Sequence, residues 1–222
     1  MSVFGKTKFD ASVGGKTKIL ERAVQRTRTG VALLADAMTD SLLGIETKRP
    51  LWQPPGPRKT EPMPYAAIRT MTGPLALNGD DVVCDLGCGK GRLVCWFSRL
   101  QVSLCIGVEF DESLASQAQR NADAVRRRKA PIEIRHEDAS RSDLSQVSVL
   151  LMFNPFGAEV MAPVLENLRA CLRARPRRLR IAYARPVQLH VFDQYPEFQV
   201  FERVTAPNYS GRVEIAFLLA DV

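Results

Sequence analysis

The chain has 222 residues, 45% of them hydrophobic and 25% charged, with a formal net charge of +7. That balance suits a soluble globular protein with one sizeable core, and it excludes a disordered polyanion, a collagen-like repeat and a disulfide scaffold. No apolar run approaches the ~20 residues of a membrane span, since the longest, Val147 to Phe153, is strand-sized. Five cysteines, at 84, 88, 95, 105 and 171, form no C-x-x-C pair and read as small core residues of a reducing compartment. His136 and His190 are the only histidines, so no histidine-based metal site is expected. The opening Met-Ser-Val-Phe-Gly-Lys-Thr-Lys has no apolar core of a secretory signal, which points to the cytoplasm.

The charge is uneven. Residues 1–60 hold eleven Lys/Arg against five Asp/Glu, whereas 61–222 hold twenty against nineteen. The division expected is a basic N-terminal extension, 1–60, on a nearly neutral domain, 61–222. A basic arm can steer an acidic partner or nucleic acid. Its lysines are not interleaved with aromatic residues as a nucleic-acid platform requires, which favours a solvated tail.

Residues 1–16 are polar and carry part of a repeated Gly-Lys-Thr-Lys, at 5–8 and 15–18. From 17 to 45 the pattern predicts one helix, or two broken near Gly30. Val31, Leu34, Ala35, Met38, Leu42 and Ile45 fall on one face, with Asp36, Asp40 and Glu46 off it. That stripe is expected to pack on the core, with a lid or dimer contact as the alternative. Arg49 to Pro64 holds six prolines and reads as an extended connector. A short helix opens around Glu61 to Ile68.

Beyond it the alternation is regular: strand 82–86, helix 90–100, strand 103–110, helix 112–128, strand 132–136, strand 147–153, helix 158–174, strand 178–184 and a short helix near 186–192. Such alternation implies a doubly wound, mostly parallel α/β sheet with right-handed crossovers. Two extended runs, 197–205 and 212–220, flank Asn208-Tyr209-Ser210-Gly211, a hairpin signal.

The organising stretch is Val82-Val83-Cys84-Asp85-Leu86-Gly87-Cys88-Gly89-Lys90-Gly91-Arg92. An apolar strand ends in a carboxylate, passes through three alternate glycines and enters a helix whose first N–H groups face the crevice. A dinucleotide fingerprint needs a third glycine where Arg92 stands. A phosphate-cradling loop fares worse, because Gly15-Lys16-Thr17 has Asp10 where its first glycine belongs and no strand before it.

Asp85, Gly87, Gly89 and Gly91 instead form Asp-x-Gly-x-Gly-x-Gly, which resembles motif I of the class I S-adenosylmethionine-dependent methyltransferases. The resemblance covers residues 61–222 and implies a seven-stranded sheet closed by an antiparallel hairpin. It also implies S-adenosyl-L-methionine as cofactor, held by Asp85, Gly87, Cys88, Gly89 and Gly91 at the turn. Glu109, with Phe110 beside it, ends the next strand 24 residues after Asp85; a carboxylate there can accept from two ribose hydroxyls. Asp138 and Ala139 match the family's adenine-binding acidic residue and its small neighbour, with Glu137 as the other candidate carboxylate.

Phe153-Asn154-Pro155-Phe156-Gly157 resembles the Asn/Asp-Pro-Pro-Tyr/Phe motif of amino-methylating members, with Phe156 in place of the second proline. Asn154, Pro155 and Phe156 are therefore the candidate acceptor site, and Asn154 is also placed against the cofactor. Tyr65 is the candidate lid over the methionine end, with packing against the domain as its other role. The departure at Phe156 points away from a nucleic-acid base and leaves an amine of a protein, peptide or small molecule as the acceptor. RNA or DNA methylation guided by the basic arm, and a cofactor-binding regulator without turnover, are the alternatives. No membrane partner is expected, and the sequence does not define an oligomeric state.

Overall fold

The computed structural model describes residues 11–48 and 61–221. The first Gly-Lys-Thr-Lys and most of the proline-rich connector, 49–60, lie outside the described residues. Among the described residues no helix is long and apolar enough to cross a membrane.

The elements are α1 (Ala11–Leu43), α2 (Tyr65–Leu75), β1 (Val82–Leu86), α3 (Arg92–Phe97), β2 (Leu104–Glu109), α4 (Glu112–Ala124), β3 (Ile132–His136), β4 (Val149–Phe153), α5 (Ala158–Ala174) and β5 (Arg178–Ala184). A 3₁₀ turn, Leu189–Gln194, leads to β6 (Gln199–Asn208) and β7 (Gly211–Asp221). They form one seven-stranded sheet in the order β3-β2-β1-β4-β5-β7-β6. The first five strands are parallel, and β7 enters antiparallel between β5 and β6.

The near-continuous apolar reading of β1, β2 and β4 follows from burial on both faces, as parallel strands require. Tyr65, Ile68, Met71 and Leu75 of α2, Val94 and Phe97 of α3 and Ala118 of α4 cover one face. Met161, Leu165 and Leu168 of α5, with Phe192, cover the other. Four of the five cysteines are buried core residues and all five are free. The crossovers bring the carboxyl ends of β1, β2, β3 and β4 to one edge, with the reversal of strand order between β1 and β4.

Boundaries move where caps decide them. The helix after the glycine turn begins at Arg92, because Gly91 is its N-cap in the left-handed region. The helix expected over 112–128 ends at Ala124, and the short helix expected near 186–192 is the 3₁₀ turn three residues later.

The largest departure is α1. It runs unbroken through Gly30, and its predicted core stripe faces outward, with Val31, Leu34, Met38 and Leu42 63%, 64%, 59% and 74% exposed, while Ile45, just past its end, packs in the core as expected. The face turned to the domain is polar instead. Gln25 and Thr29 donate to the Tyr209 carbonyl, while Asp36 and Asp40 are buried. Within the helix the expectation that the stripe packs on the core is overturned, because a buried arginine on α3 draws the two aspartates inward.

That arginine is Arg92, 4% exposed. Its Nη1 meets Asp36 at 2.9 Å and its Nη2 meets Asp40 at 3.1 Å, while Nε donates to Thr47 Oγ1 at 2.6 Å. The Tyr65 hydroxyl donates to Asp40 and the Tyr209 hydroxyl to Asp36. Burial, then the adjacent aspartate, pushes both phenols well above their ordinary range, so they serve as neutral donors. One guanidinium thereby joins α1, α2, α3 and the β6–β7 turn directly behind the glycine loop.

Candidate active site

Gly87, Gly89 and Gly91 follow β1 with φ of 73°, 55° and 79°, a run of left-handed residues that side chains disfavour. At Gly87 space is decisive too: an added Cβ would stand 2.5 Å from Pro155 Cβ. The cofactor-type turn and the Asn154-Pro155 turn are thus in contact. Gly87→Ala is expected to cost about 1–3 kcal/mol in backbone strain alone and to push Pro155 away. A thermal melt should fall by several degrees, and ligand binding at the turn should weaken at least tenfold.

Gly87 and Cys88 donate their N–H groups to the Val108 carbonyl at the end of β2, which pins the loop to its neighbour. Glu109 holds the next residue. Its Oε2 accepts from the Gly89 N–H at 2.8 Å and its Oε1 from the Asp111 N–H at 3.0 Å. A carboxylate has about four lone-pair sites, so beyond these two bonds it is a brace with acceptor capacity left. Phe110, next in the chain, is exposed and its carbonyl lies 3.0 Å from His136 Nε2. Cys88 is buried, and a Cβ on Gly107 would meet its Sγ at 2.9 Å, so only its backbone is left to the loop surface.

Asp85 ends β1 with its Oδ2 buried and lacking a hydrogen-bond partner among the described residues. Burial, then repulsion from Glu109, pushes its carboxyl up to about 8. Asp138 differs. Its Oδ1 accepts from both the backbone and the hydroxyl of Ser140, which holds its carboxyl below the usual range. Ala139 beside it is buried. Glu137 is close by, with its N–H donating to the Glu109 carbonyl and its Oε1 accepting from Ser142.

Asn154 sits just past β4 at φ 42°, with its N–H bonded to the Ala184 carbonyl of β5. A non-glycine residue in that region marks stored strain at a strand end. Its Oδ1 is buried without a partner among the described residues. Phe156 packs partly against the core cluster on the α5 side of the sheet. Beyond Ala184, a cavity of about 370 Å³ is lined by Arg185, Arg203 and Arg212 together with Val187, Asn208 and Glu214. The sequence reading missed it, since its three arginines are far apart in the chain.

Tyr65 is corrected. It is buried, its ring centroid 5.3 Å from that of Trp96 and its hydroxyl committed to Asp40, so it packs the domain and does not cover the strand ends. Arg92, Asp36 and Asp40 were missed as a unit. The available signal was an arginine opening an otherwise apolar helical face, with two aspartates spaced four apart on another helix.

Two unpartnered acceptors, a glycine loop whose backbone a ligand can approach closely and an acidic side chain at the neighbouring strand end suit a ligand with an ammonium group and a ribose. Residues 84–175 match the family model described as a methyltransferase domain. A protein-lysine N-methyltransferase of Saccharolobus islandicus (strain REY15A) is 28% identical over 109 residues, 48% of this chain and 66% of that one. The chain thus represents slightly less than two thirds of that relative. The magnesium protoporphyrin IX methyltransferase ChlM of Synechocystis PCC 6803, solved with bound S-adenosylmethionine, shares the fold at a TM-score of 0.55 and 15% identity, over 70% of this chain and 78% of that one. TrmN of Thermus thermophilus gives 0.53 and 16%, over 70% and 48%. Residues 84–175 thus match a methyltransferase domain, set in a seven-stranded sheet of the fold seen in S-adenosylmethionine-dependent methyltransferases.

Proposed function

We propose that this protein transfers the methyl group of S-adenosylmethionine to an amine nitrogen of a protein or peptide. When bound, that cofactor supplies an electrophilic sulfonium methyl. Asp85 would hold its amino end, Gly87, Cys88, Gly89 and Gly91 would approach it through the backbone, and Glu109 would take the ribose hydroxyls. Phe110, Asp138 and Ala139 would line the adenine side.

The observation that carries the amine reading is the buried, unpartnered Oδ1 of Asn154. In-line displacement requires the nitrogen lone pair to point at the methyl. An oxygen that accepts an N–H of a neutral amine turns the lone pair the other way, and orientation supplies much of the rate. Pro155 fixes the turn against Gly87, and Phe156 offers an aromatic surface to the positive charge passing to nitrogen. The lysine-methylating relative supports a protein acceptor.

Asn154→Ala is expected to lower kcat about 100-fold, as loss of reactant alignment does, while the cofactor Kd stays within a few-fold. Labelled methyl transfer to lysine-bearing proteins, paired with calorimetric titration of the cofactor, measures both. An unchanged kcat removes Asn154 from the acceptor site.

The arginine-lined cavity favours a second reading, a phosphate-rich RNA acceptor. Under that reading binding falls steeply with salt and with deletion of residues 1–60.

A further inference from the structure

We propose that the outward seam of α1 is the interface of a symmetric homodimer of this chain. It carries Val24, Val31, Leu34, Met38 and Leu42, all substantially exposed, on a helix whose opposite face is already committed to the domain. Among the described residues neither core cluster includes this stripe.

Three features select a second copy as the occupant. The first is spacing. Val24, Thr27, Val31, Leu34, Met38 and Ser41 follow steps of three and four, the a/d repeat by which two helices interlock, with Val24, Val31 and Met38 at a and Leu34 at d between the polar Thr27 and Ser41. The second is charge. Between Ala23 and Leu43 the charged residues are Arg26, Arg28, Asp36 and Asp40, and both aspartates are buried inward. Arg26 lies about 140° round the helix from Val31, so Arg28 alone flanks the seam and two copies meet without opposed like charges. Charge depletion at an apolar centre is the mark of a protein interface.

The third is area. The five side chains expose on the order of 500 Å² per chain, so a symmetric pair would cover about 1,000 Å², the threshold for a specific interface. A lipid surface fits less well. An interfacial helix needs a strongly charged outer rim and large aromatic anchors, whereas this polar face is spent on Arg92, Tyr65 and Tyr209 and the seam holds no Trp or Phe.

Sedimentation equilibrium on the full chain tests the proposal without reference to the methyl acceptor. The wild type is expected at twice the 24.7 kDa chain mass. V31E/M38E, which places charges at positions already exposed in one chain, is expected to halve that mass and keep the same circular dichroism spectrum. A wild type that stays at single-chain mass over a wide concentration range overturns the proposal, as does a V31E/M38E variant that remains dimeric. Single-chain mass combined with flotation on anionic phosphatidylserine vesicles would assign the seam to lipid instead.

Discussion

Arg92→Ala is expected to lower the unfolding free energy by about 3–5 kcal/mol, the loss typical of a broken buried ion pair. The guanidinium is 4% exposed and its partners Asp36 and Asp40 are nearly as buried, so its removal strands two carboxylates that water cannot reach. In a chain of this size the melting temperature should drop by roughly 10 °C. A cavity alone would cost less and would spare the aspartates. The triple change Arg92→Met, Asp36→Asn, Asp40→Asn separates the two causes, since it deletes the charges together and should recover at least half of the loss. Urea unfolding of both variants measures it, and a loss below ~1 kcal/mol in Arg92→Ala would show that water or rearrangement replaces the guanidinium. Cofactor affinity should fall as well, because Arg92 is the first residue of α3 and anchors the loop that precedes it.

The same arginine marks the limit of what a sequence discloses here. Strand and helix periods placed β3, α5 and β5 at their observed bounds: α5 and β5 are long and strongly patterned, and β3 is a short apolar-polar alternation on the sheet edge. The glycine turn was legible because three alternate glycines after an apolar strand have few structural uses. Helix α1 was legible as amphipathic but not as inverted. Periodicity tells that a helix has two faces, while which face meets the protein depends on what waits there, and here a buried cation waits for Asp36 and Asp40. Tyr65 was legible as a residue that packs on the domain or covers the site, and the structure shows the packing; the buried carboxylate that its hydroxyl satisfies is what no local pattern reveals. The arginine-lined cavity unites β5 with the β6–β7 hairpin, a juxtaposition that exists only after the sheet has closed.

Cofactor affinity is expected to rise about tenfold per pH unit between pH 6 and 7.5. Burial, with Glu109 nearby, pushes the Asp85 carboxyl up to about 8, so below that pH the folded, ligand-free protein carries it protonated. In the unfolded chain the same group titrates near ~4. Between those values the native state binds the extra proton, so stability supplied by the neutral form is fully present at the acid end and declines as pH rises toward 8. Binding works in the opposite direction. An ammonium group set against Asp85 favours the carboxylate, so the proton must leave, and each unit of pH below 8 raises the cost of its departure by ~1.4 kcal/mol. The window ends near 7.5 because an α-amino group itself loses its charge around 8. Calorimetry at pH 7 in buffers of different ionisation enthalpy should count close to one proton released per cofactor bound. Asp85→Asn should bind at least tenfold more weakly at pH 7.5 and lose the slope. A wild-type affinity that is flat from pH 6 to 7.5 would separate Asp85 from the ammonium group, leaving Glu109 and the glycine loop to hold the cofactor without it.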